Sequence, residues 1–298
     1  MGTLVGELAA LATAGCWTVT AMSFEAAGRR IGSLSVNLIR LLIGLLLLCV
    51  FCWLVRGLPL PTDASRHAWI FLSLSGLIGF TIGDLALFRA FVLIGSRLAM
   101  LLMSLVPPMS ALIGWLLLGE VLGPWDWLGM ALTVGGVSWV IAQRERIVNN
   151  RPEKISPTGV LLGLLGALGQ AGGLVLSKYG MGDYSPFAAT QIRIIAGIVG
   201  FALLFTVIGW WPKVAAGLAN RPAMARVSLG AFFGPFLGVS FSLLAVQHTA
   251  TGVAATIMSI TPILIIPPAV LLFKEKVNMR AVIGAAIAIG GVVLLFLK

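Results

Sequence analysis

Charge is what this chain has least of. Only 10% of its 298 residues are Asp, Glu, Lys or Arg, where a water-soluble domain carries roughly 25%. So few charges cannot clothe a solvated surface, which excludes an ordinary soluble enzyme or binding module. Histidine is limited to His67 and His248, and cysteine to Cys16, Cys49 and Cys52, all inside or at the ends of apolar runs. A disulfide framework of the secreted type does not fit that pattern. Cys49 and Cys52 form a C-x-x-C, but no His or acid stands near to complete a metal or redox site. The chain contains no H-E-x-x-H and no Gly-Lys phosphate loop, and no polar stretch long enough to fold as a nucleotide-binding domain. No catalytic residue, no metal and no cofactor is expected.

What is present is apolar: hydrophobic residues make up 59% of the chain and the mean hydropathy is +1.05. Ten apolar runs, near 4–24, 34–55, 68–89, 97–118, 124–142, 157–178, 186–209, 224–246, 251–273 and 279–297, each approach the roughly 20 residues that cross a hydrocarbon core of about 30 Å. The expected fold is therefore all-α, with ten transmembrane helices. Turn chemistry marks the breaks at Gly28-Arg29-Arg30, at Gly57 to Asp63, at Gly119 to Pro124 and at Trp211-Pro212-Lys213. Met1 to Glu7 lack a basic leader, so the first run is expected to remain as a helix. A net charge of +10 would suggest nucleic-acid binding in a soluble chain. Here every basic residue except Arg40 and Arg193 falls in a connection or at a helix end. The expected partners are a lipid bilayer and a small-molecule substrate, with no nucleic acid, and a monomeric state is compatible with both.

The chain repeats itself. A shift of 153 aligns Gly6, Leu8, Leu11 and Ala14 with Gly159, Leu161, Leu164 and Ala167, and Ile39, Arg40 and Gly44 with Ile192, Arg193 and Gly197. A shift of 155 makes 15 of the 64 positions from 79 to 142 identical, among them Met103, Ser104, Pro107 and Glu120 with Met258, Ser259, Pro262 and Glu275. Shared apolar composition would match Leu and Val, but not Met-Ser-x-x-Pro and intramembrane Arg at fixed offsets. The expected organisation is a first repeat at 1–142, a linker at 143–156 and a second repeat at 157–298. With five helices each, an odd number, the second repeat enters the bilayer in the opposite sense. Such inverted repeats set a substrate site near the midplane between halves that rock against each other.

The five-plus-five plan, the paired Met-Ser-x-x-Pro segments, the Gly119-Glu120 and Lys274-Glu275 helix ends, and the matched glycines Gly129, Gly135, Gly136 and Gly284, Gly290, Gly291 resemble the drug/metabolite transporter superfamily in its ten-helix EamA form. The resemblance spans the whole chain. It implies a secondary exporter of small metabolites in a bacterial inner membrane, amino acids first among them, with a multidrug or cation exporter as the alternative and a non-transport membrane enzyme or scaffold behind both. Small multidrug relatives hold a proton-coupling glutamate deep in their first helix. Here that depth holds Ala14, Cys16 and Trp17, and Glu7 lies near the helix end.

Within this frame Trp17 and Gln170, repeat mates in the first and sixth helices, are expected to face an interior cavity or to hydrogen-bond each other across a helix contact. Arg40 and Arg193 are mates in the second and seventh helices. Each is either a structural anchor or a charge for a substrate carboxylate. Asp84 is the acid deepest within a span, and its mate is Val239. It either pairs with Arg89, Arg97 or Arg40, or binds a coupling ion or a substrate ammonium. Met103, Ser104, Met258 and Ser259 are expected to wall the cavity or simply to pack, and Pro107 and Pro262 to bend their helices as hinges. Gly79-x3-Gly83 and Gly234-x3-Gly238 are read as close helix crossings, Glu120 and Glu275 as loop anchors. The connections following odd-numbered helices hold 14 Lys or Arg against four elsewhere outside the spans. The positive-inside rule then sets both termini outside the cytoplasm, where the resemblance implies termini inside.

Overall fold

The computed structural model describes residues 2–143, 156–264, 267 and 279–296. The expected linker, apart from its two end residues, and the Lys274-Glu275 helix end lie outside the described residues. The helices are α1 (Gly2–Ile31), α2 (Ser33–Arg56), α3 (Arg66–Gly76), α4 (Asp84–Met103), α5 (Val106–Leu118), α6 (Pro124–Gln143), α7 (Pro157–Met181), α8 (Pro186–Ile208), α9 (Trp211–Ala219), α10 (Arg221–Ala231), α11 (Val239–His248), α12 (Thr251–Met258), α13 (Thr261–Leu264) and α14 (Met279–Phe296). A π-helical turn, Leu77–Gly83, joins α3 to α4, and another, Phe232–Gly238, joins α10 to α11. Among the described residues six helical stretches are long and apolar enough to cross a membrane, with two shorter apolar helices beside them. Large apolar side chains such as Leu46, Leu54 and Val207 stand exposed on the outside. A lipid environment is what such a surface suits.

Several expected breaks move. Helix α1 runs past Gly28-Arg29-Arg30 and stops at Gly32, whose φ of +81° is open to a residue without Cβ. Trp211-Pro212-Lys213 opens a helix, α9, because proline fits a first turn, where its missing N–H is not needed. Buried Val214, and Gly217 close against Ile31 and Ile39, seat α9 on the bundle. Helical backbone is continuous from Arg66 to Met103, yet its path is not straight. A Cβ on Gly166 would touch Leu87, one on Gly159 would touch Leu93 and Ile94, and one on Gly163 would touch Leu102. The chain therefore descends along α7 and doubles back between Ile94 and Leu102.

Matching positions have matching geometry. The two π-helical turns stand 155 residues apart at both ends. Helical hydrogen bonding is interrupted at 104–105 and again at 259–260. The prolines expected to kink a continuous helix instead follow these interruptions: Pro107 sits in the first turn of α5 and Pro262 in that of α13. Helices α6 and α14 meet glycine to glycine. A Cβ on Gly129 would strike the Gly291 carbonyl and one on Gly136 the Gly284 carbonyl, while Gly135 and Gly290 face open space. Under the 155-residue shift these two contacts exchange with each other.

Candidate functional site

The most polar part of the interior forms where α2, the Leu77–Gly83 turn, α7 and α8 converge. Small residues allow this approach. Gly79 faces Gly173, Gly83 faces Gly169, and the backbone of Gly76 abuts that of Arg193 so closely that no Cβ could intervene. The π-helical turn adds a residue to the helical path, a distortion that recurs at functional sites, and Asp84 follows it directly.

Asp84 is buried, and two side chains hold it, one of them an arginine expected as a partner. Arg40 donates from Nη2 to Oδ2 as an ion pair, and Gln170 donates from Nε2 to Oδ1 at 2.9 Å while reaching the Gly79 carbonyl at 3.5 Å. Of the arginines expected as partners, Arg40 binds, while the side chain of Arg97 lies outside the described residues. Its guanidinium also lies 5.4 Å from the Phe24 ring centroid. Arg193 is 5% exposed and sits 4.9 Å from the Phe80 ring centroid, within electrostatic range of Asp84. Among the described residues no hydrogen bond and no ion pair reaches its side chain, and its buried Nε has no acceptor. The described part of this cluster thus carries two guanidinium charges against one carboxylate.

The other sequence-predicted residues are distributed differently. Trp17 does not bond Gln170, whose amide is engaged by Asp84; its indole lies against Gly238, and among the described residues its N–H has no acceptor. Trp17 and buried Met258 share one apolar cluster. Met103 is half-buried. The Ser104 hydroxyl meets Ser138 at 3.0 Å, and Ser259 donates to the Thr256 carbonyl at 2.7 Å within its own turn. The side chain of Pro262 lies outside the described residues.

A second polar cluster, at one end of the bundle, was only half legible. Glu120, read as a loop anchor, receives Lys178 Nζ at 2.6 Å on Oε1, and on Oε2 it accepts from the backbone N–H and hydroxyl of Thr251, at 2.9 and 2.6 Å. It thereby caps α12 from the other half of the chain. Lys178 also donates to the Thr249 carbonyl at 2.7 Å. A cavity of about 470 Å³ opens beside them, lined in part by Tyr179, Asp183 and Gln247. Nearby, Asp63 accepts from Arg56 at 2.5 Å and from the Tyr184 hydroxyl at 2.8 Å. Burial, and then its bond to Asp63, push the Tyr184 phenol up to about 12, while that bond holds the Asp63 carboxyl below its ordinary range. Lys178 and Thr251 gave no sequence signal beyond lying at helix ends.

Residues 4–142 and 157–297 each match the EamA-like transporter family. This chain belongs to that family. Within it, the chain is 26% identical over 246 residues to an uncharacterized transporter of Synechocystis sp., a match covering 68% of this chain and 72% of that one. A crystal structure of a protein at 17% identity aligns with 99% of this chain and 96% of its own, with a TM-score of 0.75. That likeness extends to the fold. The family makes this EamA-like chain a multi-pass membrane transporter.

Proposed function

We propose that this EamA-like transporter exports small zwitterionic metabolites, with amino acids as the leading class, across a bacterial inner membrane by alternating access. Ten spans arranged as two inverted five-helix repeats, 1–142 and 157–298 about a linker at 143–156, would supply two near-equivalent packings. Exchange between them needs a free-energy difference of only a few kcal/mol. Both termini would lie outside the cytoplasm, since the basic connections share the opposite end.

The observation that carries this reading is the buried cluster of Arg40, Asp84, Gln170 and Arg193. It draws on both sequence repeats, and ionisable side chains within spans mark substrate paths by default. Trp17 and Met258 would complete the cavity wall. Ser104 and Ser259, with hydroxyls engaged locally, would shape it through backbone rather than bind. The competing cation-exporter reading needs a carboxylate available to the cation. Asp84, the acid in this cluster, is already engaged by Arg40 and Gln170. The test is counterflow in proteoliposomes, with labelled apolar amino acids set against a lipophilic cation. Amino-acid counterflow is expected, and cation counterflow with no amino-acid signal would overturn the assignment.

A further inference from the structure

We infer that Arg193 is an anion subsite of the central cluster and that it takes the carboxylate of a monocarboxylate substrate, whereas its repeat mate Arg40 is structural. This rests on the transporter reading above and assigns one of its residues a definite chemistry. The two arginines occupy corresponding positions on α2 and α8, yet their surroundings differ where it decides their charge. The position that gives Arg40 its carboxylate, Asp84, is occupied in the other repeat by Val239. Arg40 is thereby neutralised, and Arg193 is not.

A guanidinium that is 95% buried with no bound anion is costly, by several kcal/mol in apolar surroundings. The Phe80 ring offsets part of that cost through its π face. Asp84 offsets part through space, but its two oxygens are engaged by Arg40 and Gln170. Among the described residues, what remains is one uncompensated positive charge. The buried Nε faces protein without an acceptor, while the terminal nitrogens lie toward Gly79 at the cluster centre and are not among the sealed, partnerless atoms. A planar carboxylate presented there would accept from the guanidinium in charge-assisted bonds, the geometry arginine suits best. A single charge of this kind matches a single carboxylate. A lipophilic cation would meet repulsion, and a dianion would bring one charge too many.

The test uses three probes of one carbon skeleton in proteoliposomes: L-leucine, leucinamide, which lacks the carboxylate, and 4-methylpentanoate, which lacks the ammonium. Each competes with labelled L-leucine counterflow. Leucine and 4-methylpentanoate should compete, with leucinamide weaker by at least roughly tenfold, the factor that about 1.4 kcal/mol provides. Arg193→Gln should abolish the discrimination between carboxylate and amide, and Arg193→Lys should retain it in weakened form. Because Arg193 has no acceptor among the described residues to orphan, and its buried charge is costly, Arg193→Gln should melt no lower than the wild type, which shows that the variant folds. Equal competition by leucinamide in the wild type, undiminished discrimination in Arg193→Gln, or collapse of that variant's folded state would each overturn the inference while leaving transport intact as a reading. A wild type that moves neither leucine nor either analogue would instead overturn the amino-acid transport reading, and the subsite with it.

Discussion

Arg40 and Arg193 occupy matching places in the two sequence repeats and behave as opposites. The first is locked to Asp84, which Gln170 also holds; the second lies against Phe80 with no acceptor among the described residues. The same contrast holds for their neighbours. Gln170 bonds the acid, while its mate Trp17 rests on Gly238, its indole N–H without an acceptor among the described residues. What the repeats share is backbone: π-helical turns, interrupted helices and the glycine contact between α6 and α14. What they do not share is chemistry. Matched features build the scaffold; within it Asp84 and Gln170 are engaged, whereas Arg193 and Trp17 have no acceptor among the described residues.

The comparison breaks most visibly if the two arginines are removed in turn. Arg40→Met orphans the buried Asp84 carboxylate and should cost about 3–5 kcal/mol. Arg193→Met, with no partner among the described residues to strand and a costly buried charge removed, should be as stable as wild type or more so, read as unfolding midpoints in mixed-micelle titrations. Similar losses in both would erase the distinction. On the shared scaffold, Gly136→Ala drives a Cβ into the α14 backbone and should cost about 1–3 kcal/mol. Glu120→Ala frees Lys178 and uncaps α12 at a cost of about 1–3 kcal/mol, visible in the same titration. The smallest effect is pH-dependent and belongs to the bundle end. Tyr184 has a raised pKa, so its contribution is complete below its ordinary value near 10 and fades as pH rises through about 12. Asp63 has a lowered one, so its contribution is complete above about 3.9 and fades as pH falls through the lowered value. Melting temperatures of wild type and Tyr184→Phe should differ across the neutral range and converge at the alkaline limit.

Much of the scaffold was legible because glycine, proline and hydropathy act locally. The 153- and 155-residue shifts located the π-helical turns without naming them, and glycine pairs marked the close crossings. Helix ends were less legible. Arg29 and Arg30 looked like a break, but an exposed helix end accepts two arginines readily, and Gly32 was the residue able to take positive φ. Proline at Trp211-Pro212-Lys213 reads as a break through its clash with a helix interior, yet it fits a first turn equally well, and that is where it sits. In the site, depth marked Asp84 and Arg40 but left Arg89, Arg97 and Arg40 open as partners of the acid. Gln170 bonding Asp84 rather than Trp17 was not legible, because it depends on how α7 crosses the π-helical turn. Lys178 meeting Glu120 and Thr251 is a long-range contact of the same kind.

The central claim is that interior groups lacking a partner serve the substrate and not the fold. Trp17→Phe tests it most directly, since it keeps an aromatic ring while deleting the pyrrole edge against Gly238 and with it the N–H, which has no acceptor among the described residues. Amino-acid counterflow per folded protein is expected to fall by roughly tenfold, the loss of a hydrogen bond of about 1.4 kcal/mol, with a melting temperature lowered only slightly by the lost edge packing. Wild-type counterflow in Trp17→Phe, or a loss of stability that accounts for the fall, would contradict it.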